Sequence, residues 1–406
     1  MVGEDASSTD IPAKRIQQDE MNWSTVDKGS LLVCMYGQVE EIISENKKSF
    51  KIASFDLDGT LIKTRSGHVF PTDPNDWQLW HPTVKPSLEQ LHKDGFVLVL
   101  FSNQSSLKVL ANVPGFKSKI NNILKTLKVP AIVLIAAFED INRKPAPGMW
   151  HHLCNSILKG KEVDMNNSMF VGDAAGRKDN WKLGRKKDFA ISDRLFARNI
   201  NLKFLTPDEF FLGEKTAAFL EPDFQPGDYS TGIDVNSICK NLSGGHSEVI
   251  VMVGLPACGK STFAKTFLCP KGYIRVNRDI LGSAAKCERL LKDSLSQKKK
   301  VVIDNTNLDV ATRGKIVDTA KQYKVPVRCF MMDLTLRRVL HNNQFRNIIE
   351  KDSLRVTNAV IHNLNKKYQE PSMDEGFAEI VKIPFIPSFR NKTEEEFYNC
   401  YLVDPK

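Results

Sequence analysis

Short apolar runs recur along the chain and alternate with longer stretches whose apolar residues fall three or four positions apart. In the first half the runs are "SFDLDG", "FVLVLFSNQ", "AIVLIAAF" and "SMFVGDAAG", separated by stretches such as "TVKPSLEQLHKDG" and "APGMWHHLCNSILKG". In the second half "EVIVMVGLPACGKSTFAKTFL", "KKKVVIDNTN" and "PVRCFMMDLT" repeat the pattern. Runs of this length predict buried strands, and the periodic stretches predict helices. Regular alternation of the two predicts an α/β fold with mainly parallel sheets. The stretch 216–245 lacks a sustained period and is rich in Pro, Gly, Ser and Asp, which predicts a linker. A polar, acidic stretch at 1–25 reads as a flexible tail, so the two domains are expected at 26–215 and 246–406.

The length of 406 residues, with 41% hydrophobic and 26% charged content, agrees with two soluble cores. The longest apolar stretch is too short to span a bilayer, and the N-terminus has neither a secretory nor a transit pattern, so no membrane association is expected. Eight cysteines are scattered without a Cys-x-x-Cys pair, which predicts free thiols rather than disulfides or a zinc site. The net charge of +9 is carried by the two domains, while the tail and the linker are acidic. That balance suits a polyanionic partner.

Ligands of parallel sheets bind beyond the carboxyl ends of the strands, and the chemistry-bearing residues cluster there. Asp56 ends the first strong strand, and Gly59 permits the turn that returns Asp58 beside it. Two such carboxylates need a cation between them, and magnesium suits an oxygen-rich site that receives phosphate. One can then attack phosphorus while the other moves protons. Ser102 offers a hydroxyl to phosphoryl oxygens, Lys144 a fixed cation, and Asp173 a metal anchor. This ordered set resembles the haloacid-dehalogenase-like phosphatases. The short spacings leave no room for a large cap, so the site is expected to be open enough for a polymer end.

"GLPACGKST" matches a phosphate-binding loop with Gly254, Gly259, Lys260, Ser261 and Thr262, set between a strand and a helix. There the amides cradle phosphates, Lys260 reaches the β/γ oxygens and Ser261 holds magnesium. Asp279 is placed to accept a proton from an acceptor hydroxyl, with Arg278 beside it toward the acceptor. Asp304 is a second magnesium candidate, and Arg337, Arg338 and Arg346 form a candidate lid over the transferring phosphate.

Together "FDLDGTLIKTRSGHVFPTDPNDW", "KPAPGMW", "FVGDAAGR", "DNWKLGRKKDFAISDRLFARN", "GLPACGKST", "VNRDILGS", "VVIDNTN" and "HNNQFR" resemble the polynucleotide 5′-hydroxyl kinase/3′-phosphatases of eukaryotic DNA repair. The resemblance implies a haloacid-dehalogenase-like, Rossmann-like phosphatase followed by a P-loop kinase. It implies Asp56 as nucleophile, Asp58 as acid/base and further metal ligand, Asp173 as magnesium ligand, Lys260 and Ser261 as ATP and metal contacts, and Asp279 as kinase base. Mg2+ and ATP are the implied cofactors, and DNA ends carrying a 3′-phosphate or a 5′-hydroxyl the implied partners. A nuclear monomer, with repair scaffold proteins as further partners, is expected. Two alternatives stay open: a kinase/phosphatase of a small metabolite, and a non-catalytic scaffold for DNA ends.

The chain departs from the family pattern in places. The acidic first 45 residues are too few for the forkhead-associated domain of vertebrate members, so recruitment by that route is not expected. "SSLKVLANVPG" replaces a Gly-rich turn after "FSNQ", and Ala257-Cys258 stands where Gly-Ala is common. Cys258 is either a thiolate favoured by the phosphate-binding amides around it or a buried, inert thiol. Trp77 and Trp80 either stack on a terminal base or pack beneath the loop. The run Arg177, Lys178, Lys182, Arg185, Lys186 and Lys187 is the candidate contact for the DNA backbone.

Overall fold

A computed structural model describes residues 21–45, 48–229, 234–238, 242, 246–350 and 355–404. The chain divides into two compact units at Phe219/Leu220. Residues 1–20 of the expected tail and the remaining linker positions lie outside the described residues.

The first unit contains strands β1 (Met21–Val26), β2 (Leu31–Tyr36), β3 (Ser49–Phe55), β4 (Ile62–Lys63), β5 (Gln78–Leu79), β6 (Phe96–Asn103), β7 (Ala131–Ala136), β8 (Glu162–Val163), β9 (Met169–Val171) and β10 (Lys203–Leu205). Its main sheet runs β1-β2-β7-β6-β3-β9-β10, with β8 paired to β3 beside this path. From β7 to β10 the neighbours are parallel, whereas β1/β2 and β2/β7 are antiparallel. β3, β6 and β7 are mostly buried because the sheet is covered on both faces, leaving one core on each side. Between Asp58 and the helix Val84–Lys93 that precedes β6, the chain forms a small insert with the two-stranded pair β4/β5.

The tail prediction ends too late. "MNWSTV" forms β1, half-exposed as an outer strand should be, and the Trp23 indole donates to Asn121 at 3.0 Å.

The second unit has β11 (Val249–Val253), β12 (Tyr273–Val276), β13 (Lys300–Ile303), β14 (Val327–Met332) and β15 (Glu379–Ile383), all parallel in the order β12-β13-β11-β14-β15. β11 therefore has a parallel partner on both sides.

The linker prediction is corrected over its first half. Phe219 lies under the Arg194 guanidinium, 3.6 Å from the ring centroid, as part of the first unit. Residues 220–229 are a strap on the second unit, where the carbonyls of Gln225, Pro226 and Asp228 accept from buried Arg338. Phe224 and Phe385 flank that guanidinium at 4.6 and 5.4 Å. The strap's polar composition concealed isolated aromatic anchors with no local period.

His341 lies under the same strap, wholly buried, with Nε2 2.8 Å from the Tyr398 carbonyl and Nδ1 without a hydrogen-bond partner. Burial holds its pKa down to about 3, Arg338 adding to the effect and the Tyr398 carbonyl opposing it. The unfolded chain binds a proton here near pH 6.5, so folded-state stability is present above that value and lost as pH falls toward 3. By pH 5 the loss should be about 2 kcal/mol. Urea unfolding at pH 7 and pH 5 should show this loss in the wild type and little of it in His341→Gln.

Candidate active sites

Asp56 follows β3 directly, and its amide bonds the Val171 carbonyl of β9 at 2.8 Å. Lys144, after β7, is buried, and its Nζ lies 2.6 Å from Asp56 Oδ1 and 2.7 Å from Asp193 Oδ1. A reciprocal pair fixes the lysine backbone: Lys144 N–H donates to Asn103 Oδ1 at 2.9 Å, and Asn103 Nδ2 to the Lys144 carbonyl at 3.0 Å. Carboxylate atoms of Asp56, Asp173 and Asp193 lie within 4.8 Å of one another. Burial raises Asp56 to about 7, with Lys144 opposing and Asp193 and Asp58 adding. Burial, then Asp56 and Asp193, push Asp173 well above the carboxylate range. Three converging hard-oxygen donors facing one ammonium fit a small divalent cation such as magnesium.

Asp58 sits beside this cluster, its Oδ1 accepting from Lys119 at 3.1 Å and its Oδ2 from Gln104 Nε2 at 2.6 Å. The same Gln104 amide donates to Ser102 Oγ at 2.9 Å. The turn needs Gly59: its φ is +84°, and a Cβ there would overlap the Asp173 carboxylate.

In the second unit the phosphate-binding loop follows β11. Gly254 N–H donates to the Thr306 carbonyl at 3.1 Å, and Asn307 Nδ2 to the Met252 carbonyl at 2.7 Å, tying the loop to the end of β13. Lys260 is buried, donating to the Gly254 and Leu255 carbonyls at 2.8 and 2.7 Å. Ser261 Oγ donates to Asp304 Oδ2 at 2.7 Å, which also accepts from Arg275 Nε at 2.6 Å. Asp304 Oδ1 is buried without a hydrogen-bond partner, and an acceptor left open beside the Ser261 hydroxyl fits a magnesium ion. Arg278 and Asp279 are both exposed on the short helix that follows β12. Thr262 is exposed and shares with Gly259, Met332 and Phe385 a pocket of about 130 Å³.

A family model described as polynucleotide kinase 3 phosphatase matches residues 51–211, and one described as an AAA domain matches 281–371. The bifunctional polynucleotide phosphatase/kinase of Schizosaccharomyces pombe is 36% identical over 387 residues, spanning 94% of this chain and 88% of that protein. The chain belongs to the bifunctional polynucleotide phosphatase/kinase family. The polynucleotide 3′-phosphatase ZDP of Arabidopsis thaliana is 36% identical over 184 residues, 42% of this chain and 25% of that protein. The polynucleotide 3′-phosphatase of Saccharomyces cerevisiae is 26% identical over 226 residues, 42% of this chain and 91% of that protein.

Within this family member the geometry joins Asp56, Asp58, Ser102, Lys144 and Asp173 in one site, and the loop residues with Asp304 in the other. Three expectations are corrected. The Asp58 carboxylate faces Lys119 and Gln104, and Asp193 completes the carboxylate cluster in its place. Arg177 is buried and spent on Asp188 and Asp208, each at 2.9 Å, so its charge is not offered to DNA. Arg337 is paired with Asp223 at 2.9 Å and Arg338 lies beneath the strap, so neither stands over the loop as a free lid cation. Cys258 is 1% exposed and packed in an apolar core with Lys260 Nζ at 3.4 Å, at the edge of the pocket that Gly259 and Thr262 line.

Other positions stay open to solvent. Lys178, Arg185, Lys186 and Lys187 are exposed, whereas Lys182 pairs with Glu214. Arg346 is half-buried, with Nη2 bonded to Asn343 and Nε lacking a partner. Trp77 and Trp80 pack partly against the first core. Asp193, Lys119 and Gln104 were not singled out from the sequence. A lysine on the apolar stripe of the helix Val113–Leu127, beside buried Ile120 and Ile123, was the available signal for Lys119.

Gly59→Ala should destabilise the first unit by at least about 1 kcal/mol, since it meets both the positive φ and the Asp173 carboxylate. It should also lower magnesium affinity, which denaturant unfolding and calorimetric titration of the metal would register together.

Proposed function

We propose that the first unit removes 3′-phosphates from DNA ends through an aspartyl-phosphate on Asp56, and that the second phosphorylates 5′-hydroxyls with ATP, leaving ends a ligase can join. The observation that carries this reading is that one chain of this family holds two complete phosphate-handling sites at the strand ends of separate sheets.

In the first site the Asp56 carboxylate attacks phosphorus. A phosphorus–oxygen bond forms to the aspartate while the bond to the 3′-oxygen breaks, and Asp58 protonates that leaving oxygen. Asp58 then takes a proton from water, which attacks the acyl phosphate and releases inorganic phosphate. Asp56 must be ionised to begin, and burial opposes this. Lys144 holds the charge in place and keeps the carboxylate aimed. Lys119 and Gln104 orient Asp58, and Ser102 presents a hydroxyl to the phosphoryl oxygens.

In the second site Asp279 accepts the proton of the 5′-hydroxyl as its oxygen attacks the γ-phosphorus and ADP departs. Lys260 exchanges the Gly254 and Leu255 carbonyls for phosphate oxygens when nucleotide fills the loop. Arg278, exposed beside Asp279, is placed to meet the acceptor strand. Asp56, Asp173 and Asp193 in one site, and Ser261 and Asp304 in the other, would hold magnesium, which would supply positive charge to offset the phosphoryl oxygens.

A nicked duplex bearing a 3′-phosphate and a 5′-hydroxyl, incubated with ATP and magnesium, tests both halves. Asp56→Asn should leave only the 5′-phosphorylated product and Asp279→Asn only the 3′-dephosphorylated one, each with at least about a hundredfold loss of the missing activity. Loss of both products in either variant would overturn the assignment of independent sites.

A further inference from the structure

A pocket of about 360 Å³ opens beside the first site, within the size range of about 300–1,000 Å³ that accommodates small organic ligands. Gly59 and Asp173 line it, so it adjoins the carboxylate cluster. The indoles of Trp80 and Trp181 line it too, together with the exposed cations Lys63, Arg185 and Lys186. Among the described residues none of these three cations is in an ion pair.

The acids of the pocket are already engaged. Asp188 and Asp208 are both bound to Arg177, and Asp173 belongs to the carboxylate cluster. The free charge presented to a ligand is therefore positive. Arg177 also stacks on Trp181, its guanidinium carbon 3.8 Å from a ring centroid, while the indole N–H donates to the Lys186 carbonyl at 3.2 Å. One face of the ring is thus covered and its edge is pinned. A ring fixed in this way loses little conformational freedom when a flat ligand meets it.

Two aromatic walls and three unpaired cations, adjoining a phosphoryl-transfer site, match a flat ring carried on an anionic backbone. We infer that this pocket is a subsite for the terminal nucleotide of the strand whose 3′-phosphate is removed, with its base against Trp181 and the neighbouring backbone phosphate near Lys63, Arg185 and Lys186. The inference rests on the phosphatase reading given above. Stacking uses the face of a base and not its edge, so the subsite accepts any base and selects polynucleotide ends over small phosphomonoesters.

The test compares a single-stranded oligonucleotide ending in a 3′-phosphate, the same strand with its terminal nucleotide abasic, and p-nitrophenyl phosphate. In the full-length chain, Trp181→Ala should lower the ratio of kcat/KM for the oligonucleotide to that for the aryl phosphate by about tenfold, through KM. Trp181→Phe should recover most of the ratio. The wild type should disfavour the abasic strand to a similar degree, and Trp181→Ala should no longer distinguish it. The double variant Arg185→Gln/Lys186→Gln should flatten the salt dependence of oligonucleotide KM by about one unit of logarithmic slope or more. An equal fall on oligonucleotide and aryl phosphate would make Trp181 a prop of the fold, and unchanged kcat/KM on both would place the strand elsewhere; either result overturns the subsite. A wild type that hydrolyses neither substrate would instead overturn the phosphatase reading.

Discussion

The buried ammonium of Lys144, shared between Asp56 and Asp193 at 2.6 and 2.7 Å, is the contact on which the first site depends. Three carboxylates gathered at the ends of β3 and β9 and on the helix beyond would repel one another in a region with little water. One lysine offsets part of that repulsion and is itself held above its usual pKa by Asp193 and Asp56, which overcome the effect of burial. The residual negative charge is what draws a cation. Removing one partner from such an arrangement costs about 3 to 5 kcal/mol, because it strands the others. The sheet order imposes the geometry: β3 is flanked by β6 and β9, so Asp56, Ser102 and Asp173 emerge at one edge.

The second unit reaches a comparable result with the signs arranged differently. Here one buried carboxylate, Asp304, is the hub, accepting from Ser261 and Arg275 while its backbone carbonyl accepts from Asn277 at 2.6 Å. The three donors come from the phosphate loop and from β12 and the turn after it, so the hub ties the central strand of the sheet to its outer one. Ala257 in the loop has a φ of +60°, a left-handed conformation that costs a residue with a Cβ roughly 1–2 kcal/mol. Asn342 Nδ2 donates to its carbonyl at 3.1 Å and helps to hold it there. The loop thus holds an alanine in a conformation that glycine adopts at lower cost.

Strands at the centre of each sheet were legible because burial on both faces writes an unbroken apolar run, as in "FVLVLF" and "VIVMV". The acids and glycines at their ends were legible for a related reason, since a short motif directly after such a run has a predictable place in space. What stayed hidden depended on distant partners. Arg177 reads as one member of a basic run until Asp188 and Asp208 fold against it. Asp193 lies twenty positions beyond Asp173 and joins it only through the return of the chain, with its Oδ2 accepting from Ala174 N–H at 3.1 Å. β1 escaped notice because an outer strand with an exposed face shows only weak alternation.

The strap at 220–229 bears on how the two catalytic halves can be separated. Its carbonyls solvate a guanidinium that has no carboxylate partner among the described residues, and its Tyr229 hydroxyl reaches Glu395 at 3.1 Å. An engineered boundary placed after this segment would strip the Arg338 guanidinium of three carbonyl acceptors and leave it the Tyr398 hydroxyl, at 3.1 Å, within the kinase half. Autonomy of that half therefore begins near Leu220, well upstream of its first strand, and the stretch that looks most like a dispensable tether is part of the domain it precedes.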